Sequence, residues 1–220
     1  MLQTLKQNKY FLIPYTLIFC AACMVIALTG RIELHQYFNS LVRPRLNLFF
    51  EFVTYLGDGI FVMCIGALIL VFNLRKGLTV LLAYGLSAGF TQGIKYAFFG
   101  DTDRPELVFQ QEHLPLTRIT NLYEEQHIHH SFPSGHATAA FALFFCLSFL
   151  SESTGRKIFY LLIALTVAFS RVYLSQHFFE DITAGSVIAV CFSSLVCWLF
   201  YFSKAAQKFN SLDKPLYKLF

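Results

Sequence analysis

Charge is scarce in this chain. Only 14% of its 220 residues are Asp, Glu, Lys or Arg, whereas a soluble domain carries about a quarter. That shortage excludes an ordinary water-facing surface, and a hydrophobic content of 56% points the same way. Cysteine is missing from every polar stretch: Cys20, Cys23, Cys64, Cys146, Cys191 and Cys197 all lie within apolar runs. The pair Cys20 and Cys23 has no second pair and no nearby histidine to complete a zinc site. The cysteines therefore read as small core residues, with no disulfide and no metal expected. Internal repeats and low-complexity segments are absent as well. The net charge of +4 is carried in short basic clusters between apolar runs, a placement typical of topology signals and not of a nucleic-acid surface.

What the chain has instead is apolar length. Several runs are long enough to cross a hydrocarbon layer of about 30 Å. The expectation is an all-α integral membrane protein, a single domain over residues 1–220. Its six transmembrane helices would lie near 10–28, 60–72, 78–99, 134–150, 158–174 and 182–202. The first run lacks a small-x-small cleavage site and reads as an uncleaved span. An interfacial helix is expected up to about residue 56, before a turn at Gly57-Asp58-Gly59. A long polar loop, 100–133, separates the third and fourth spans. With six alternating spans both termini share a side with the 73–77 and 151–157 links. That side gathers Lys6, Lys9, Arg75, Lys76, Arg156, Lys157, Lys204, Lys208, Lys214 and Lys218, which makes it cytoplasmic. Lys95, Arg104, His136, Arg171, His177 and Asp181 converge on the opposite face.

Those residues carry chemistry. Residues 131–140 read Ser-Phe-Pro-Ser-Gly-His-Ala-Thr-Ala-Ala. Ser134 is a good N-cap, Gly135 follows, and His136 falls in the first turn of the helix that begins there. A helix N-terminus offers unpaired N–H groups and a positive dipole end, which suit an anion, and histidine can move a proton near neutral pH. His177 and Asp181 are spaced i, i+4, so a carboxylate can fix one imidazole nitrogen and leave the other to attack. Charges beside spans are costly and usually functional. Lys95 taken alone suits snorkelling to the interface equally well; Arg171, followed by His177 and Asp181, does not.

The pattern Lys95-x8-Arg104-Pro105, then Pro133-Ser134-Gly135-His136, then Ser170-Arg171-x5-His177-x3-Asp181 resembles the three-part signature of the phosphatidic acid phosphatase type 2 superfamily. The second and third parts match in order and spacing. The first is two residues longer between Lys95 and Arg104 than the commonest form. The resemblance implies a metal-independent lipid phosphatase without cofactor. His177 would be the nucleophile and form a phosphohistidine, Asp181 its orienter and His136 the general acid. Lys95, Arg104, Arg171 and the backbone of Ser134 and Gly135 would hold the phosphate, since phosphoryl transfer depends on positioning and charge stabilisation. Bacterial members act on lipid A phosphates, undecaprenyl diphosphate or phosphatidylglycerol phosphate, which implies an inner-membrane enzyme with its site facing the periplasm. The leaning is to lipid A or a similar envelope lipid, with loop 100–133 setting substrate choice.

The expected partners are a lipid phosphate and the membrane, with no nucleic acid and no obligate protein partner. Two rivals stay open: a transporter or flippase holding an anionic head group, and a phosphotransferase moving the group to another lipid. Transporters place such sites near the midplane, whereas these charges sit at span ends. His127, His129 and His130 read as a solvated loop, as do Glu124 and Glu125; Asp101 and Asp103 are expected to orient Arg104 or cap a turn.

Overall fold

The computed structural model describes residues 1–117, 119 and 128–218, and among these the regular secondary structure is helical. A short helix α1 (Leu2–Gln7) leads into the long α2 (Lys9–Leu28). Two ten-residue helices follow, α3 (Arg31–Ser40) and α4 (Pro44–Val53). A tight 3₁₀ turn over Thr54–Gly57 joins α4 to α5 (Gly59–Phe72), with a bend of 55° between them. Next come α6 (Leu74–Phe98) and the short α7 (Pro105–Gln111). The bundle closes with α8 (Gly135–Phe149), α9 (Thr154–Tyr173) and α10 (Phe179–Tyr201).

Among the described residues α2, α6 and α10 are each long and apolar enough to cross a membrane, and the bent α4–α5 pair is a fourth if it counts as one span. Helix starts are set by caps more than by the apolar runs. Asn73 accepts from Lys76 N at 2.9 Å and starts α6 at Leu74, ahead of the expected 78. Arg75 and Lys76 therefore belong to its first turn and not to a connection. Asp58, at the glycine turn, accepts from Ile60 N at 2.7 Å and caps α5.

The central element is α8. It packs against α6, α9 and α10, and its aromatic residues Phe141, Phe145 and Phe149 are buried. In lipid, helices associate by close packing and polar contacts and not by a hydrophobic drive. Gly185 supplies such an approach: a Cβ there would stand 2.6 Å from Ser134 O and 3.0 Å from Thr138 Oγ1. Thr138 Oγ1 donates to Ser134 O at 2.9 Å and lies 3.1 Å from Thr91 Oγ1, so α6, α8 and α10 meet around one hydroxyl. Gly57 does the same for the 3₁₀ turn, where a Cβ would fall 2.8 Å from His136 O. Both contacts lock the N-terminal end of α8 in place.

The opposite end is tied down by polar side chains. Arg75 is buried, donating to Asn210 Oδ1 at 3.0 Å, Asp213 Oδ2 at 2.6 Å and the carbonyl of Phe200. Lys157 is buried against the carbonyl of Gln7. Asn8 Oδ1 accepts from Ser148 Oγ at 2.6 Å. Two of the cations read as surface topology charges are thus internal fasteners. All six cysteines are free.

Candidate active site

The site is built where α9 ends and where α8 and α10 begin. Helix α9 finishes at Tyr173, and the chain turns through Ser175, whose φ of 54° is left-handed. The carbonyl of Arg171 accepts from Gln176 N at 2.9 Å and from His177 N at 3.1 Å. A residue of the last α9 turn thereby fixes the backbone of His177, which is only 2% exposed.

Asp181, in the first turn of α10 and 1% exposed, is the hub. Its Oδ2 accepts from Ser131 Oγ at 2.5 Å and Phe178 N at 2.9 Å, and lies 3.2 Å from His177 Nδ1. The Phe178 bond ties this carboxylate, at the third position of α10, back to the N–H of the N-cap residue, and the His177 contact engages the Nδ1 side of the imidazole. Ser134 N donates to Asp181 O at 3.0 Å, binding the start of α8 to the same residue. Ser134 Oγ accepts from Ala137 N at 3.4 Å, so Ser134 is the N-cap of α8. The first N–H groups of α8 have no partner within their own helix, and His136 lies in that turn.

Three cations surround the histidine. Arg171 Nη1 donates to Thr54 Oγ1 at 2.9 Å, which aims it from the 3₁₀ turn. Arg104 Nε donates to His129 O at 3.0 Å, and its Nη1 to Gln176 Oε1 at 3.1 Å. Lys95 Nζ donates to His130 O at 2.9 Å. All three are buried. Burial, then Arg104, Arg171 and Lys95, hold His177 well below the usual histidine range; Ser131 backbone bonding acts against them. A neutral imidazole ringed by cations suits attack on a phosphate. His136 lies within electrostatic reach of His177, Arg171, Arg104 and Lys95. A cavity of about 460 Å³ opens beside the site, lined by Gln92, Lys95, Tyr96, Arg104, His129 and His130 among others.

All eight residues singled out from the sequence therefore gather at one end of the bundle. The extra length between Lys95 and Arg104 is absorbed by a turn, in which Thr102 N donates to Phe99 O at 3.2 Å. Sequence reasoning missed Ser131, Gln176 and Thr54, which touch Asp181, Arg104 and Arg171; ordinary polar residues outside a motif send no signal. The solvated loop expected around His129 and His130 is there, with the His129 side chain exposed, but the role of its backbone went unread. His129 and His130 hold the cations through their carbonyls. Asp103 pairs with the His129 ring at 2.7 Å. His127, Glu124 and Glu125 lie outside the described residues. No cluster of three His, Cys, Asp or Glu fit for a metal occurs among the described residues.

A family model described as the PAP2 superfamily matches residues 76–205, more than half of the chain. The chain belongs to the PAP2 superfamily. Among solved structures it is similar to Aquifex aeolicus LpxE, at 25% identity and a TM-score of 0.64 over 74% of this chain and 92% of that one. It also shares its fold with the first transmembrane PAP2-type phosphatidylglycerolphosphate phosphatase from Bacillus subtilis. There the identity is 21% and the TM-score 0.55, over 89% of this chain and 98% of that one. Curated proteins gave no match. With its apolar helices, family membership makes this a membrane protein and supports phosphatase activity on a lipid.

Proposed function

We propose that this PAP2 member removes a phosphate from a lipid phosphomonoester or diphosphate through a phosphohistidine at His177. The observation that carries the reading is the contact between Asp181 Oδ2 and Nδ1 of the buried His177, at 3.2 Å, inside a ring of Lys95, Arg104 and Arg171. Nε2 forms the N–P bond as the P–O bond to the lipid breaks, and His136 donates a proton to the leaving oxygen. Water then attacks phosphorus as the N–P bond to His177 breaks, His136 takes the water proton, and inorganic phosphate leaves with His177 restored. The three cations and the α8 N-terminus carry the charge of the transferring group, so the mechanism needs no metal. The substrate we favour is lipid A or a similar envelope lipid; phosphatidylglycerol phosphate and undecaprenyl diphosphate call for the same chemistry.

The proposed topology has six spans: α2, the α4–α5 pair, α6, α8, α9 and α10. Parity then puts the termini opposite the site. Although Arg75 and Lys157 are buried, Lys6, Lys9, Lys76, Arg156, Lys204, Lys208 and Lys218 are exposed at that end, which makes it cytoplasmic and turns the site to the periplasm of the inner membrane. The test is phosphate release by wild type and His177→Ala in detergent with EDTA, over a panel of envelope lipid phosphates. Release by wild type and background from a folded His177→Ala support the reading. A mutant that keeps most activity removes the nucleophile; release by neither returns the transporter reading; a phosphorylated lipid acceptor turns hydrolysis into transfer.

A further inference from the structure

Helix α3 lies outside the residues that the family model matches, yet it is fastened to the turn that carries His177. Arg31, His35 and Asn39 are spaced i, i+4, i+8 and so share one face of α3. Each meets the segment 175–180. Arg31 Nε pairs with Glu180 Oε1 at 3.2 Å, and its guanidinium lies 3.9 Å from the centre of the Phe178 ring. His35 Nε2 lies 3.2 Å from Ser175 Oγ, and Asn39 Nδ2 donates to the same oxygen at 3.4 Å. His35 and Asn39 are 1% and 6% exposed, so these bonds are made away from water.

The same two residues reach the other parts of the site. The His35 ring packs edge-on between Phe109 of α7 and Phe178, at 5.3 Å from each. Helix α7 begins directly after Arg104, so one ring touches the supports of both the cation and the nucleophile. Asn39 also pairs with the peptide of Thr117, accepting from its N–H at 2.8 Å and donating to its carbonyl at 3.0 Å. Thr117 belongs to the long polar loop. Ser175 is the residue that needs holding, because its left-handed φ of 54° crowds the Cβ of any L residue. A turn so strained persists only where its surroundings fix it.

We propose that α3 is a positioning element for the reaction, in which His35 and Asn39 clamp the Ser175–His177 turn and couple it to α7 behind Arg104 and to the polar loop at Thr117. The proposal rests on the reading of His177 as nucleophile. The clamp acts by hydrogen bonding and not by charge: burial lowers the His35 pKa to about 4, leaving the ring neutral at working pH. Neither residue touches the phosphate; each acts through the turn. Because Asn39 also grips the loop, its loss reaches substrate binding, whereas the loss of His35 falls mainly on turnover.

The experiment uses the full chain in detergent, with kcat, KM and thermal midpoint measured for His35→Ala, His35→Gln, Asn39→Ala and a packing control, Leu34→Ala, on the same helix. His177→Ala is run beside them. His35→Ala and Asn39→Ala are expected to lower kcat by about 10- to 100-fold, the cost of a small misplacement of reacting groups, with KM raised in Asn39→Ala only. His35→Gln keeps a donor near Nε2 and is expected to restore most of kcat; Leu34→Ala is expected to lower the midpoint and spare kcat. Wild-type turnover in both alanine variants with a silent His177→Ala overturns the positioning role and leaves the nucleophile standing. Loss of kcat without rescue by glutamine, matched by Leu34→Ala, also overturns it, because α3 would then be packing alone. An active His177→Ala overturns the nucleophile and the proposal that rests on it.

Discussion

Removing one hydroxyl tests how the site is wired. Ser131 Oγ donates to Asp181 Oδ2 at 2.5 Å, with the two residues 0% and 1% exposed. The same oxygen lies against His177 Nδ1, so the bond holds the carboxylate in the plane that orients the imidazole. A buried hydrogen bond to a charged group contributes about 1.5–3 kcal/mol. If Ser131→Ala loses all of that in the transition state, kcat falls by about 10- to 150-fold. If the loss is shared between ground and transition states, part of it appears as a lower thermal midpoint and the kcat effect shrinks accordingly. The assay is kcat on a short-chain lipid phosphate, with rapid quench to separate phosphoenzyme formation from its hydrolysis. The deficit is expected in the first step, because that is where Nε2 must point at phosphorus. A variant with kcat within about twofold of wild type and only a lowered midpoint would refute the reasoning. Asp181 would then orient His177 without help from Ser131.

Asp181→Asn keeps the shape but gives the three donors a neutral partner whose amide nitrogen cannot accept; kcat is expected to fall by about 10²- to 10⁴-fold, by analogy with the orienting carboxylates of other nucleophile–histidine systems, measured on protein shown to be folded. Protonation would remove the nucleophile proposed at His177, and burial first, then the surrounding cations, hold its pKa well below the usual histidine range, so the acid limb of kcat/KM is expected below about pH 6.5. Arg104→Gln takes away the cation that acts most strongly on His177, and is expected to raise the His177 pKa and move that limb to higher pH. His35 has a folded pKa of about 4 against 6.5 unfolded. The fold prefers its neutral form, so this stability is full above pH 6.5 and is lost as pH falls from 6.5 toward 4, by at most about 3 kcal/mol. Thermal midpoints across that range are expected to drop less steeply in His35→Gln.

The sequence made the chemistry legible because phosphoryl transfer demands rare residue types at fixed spacing. Lys95, Arg104, His136, Arg171, His177 and Asp181 stand out in a chain with so few charges, and the structure brings them together. What stayed hidden was the frame around them. Ser131, Gln176 and Thr54 act through single hydrogen bonds that depend on tertiary approach, and nothing in their local sequence announces it. The stripe Arg31, His35, Asn39 was readable in principle, being polar at helical spacing, but only a known neighbour gives such a stripe meaning. Arg75 and Lys157 show the converse error. Both read as surface charges from their neighbours in the chain, yet carbonyls brought by α1 and α10 bury them. Helix existence followed from apolar runs, while helix starts followed from caps such as Asn73 and Asp58, which hydropathy does not weigh.

The long loop between Arg104 and His136 is part of this frame at its ends. Thr102 O accepts from Ser131 N at 3.0 Å, Thr102 Oγ1 accepts from Phe132 N at 3.2 Å, and Ile128 O accepts from Arg104 N at 2.8 Å. The segment 102–104 is thus paired with 128–132, and the carbonyls that hold Lys95 and Arg104 belong to that pair. Thr102 Oγ1 also donates to Phe99 O at 2.8 Å, closing the turn that absorbs the two extra residues. Thr102→Val keeps the shape and the Thr102 carbonyl but strips the hydroxyl, leaving Phe132 N–H without this acceptor at a cost of about 1–3 kcal/mol. Because Phe132 lies between Ser131 and the Ser134 cap of α8, the loss is expected in kcat as well as in thermal midpoint. Shortening the turn by deleting Asp101 tests the same point from the other side, since it drags Arg104 toward Lys95 and strains the pairing. If Thr102→Val and the deletion both turn over like wild type, the pairing of 102–104 with 128–132 does not position the cations, and the loop ends are mere tethers.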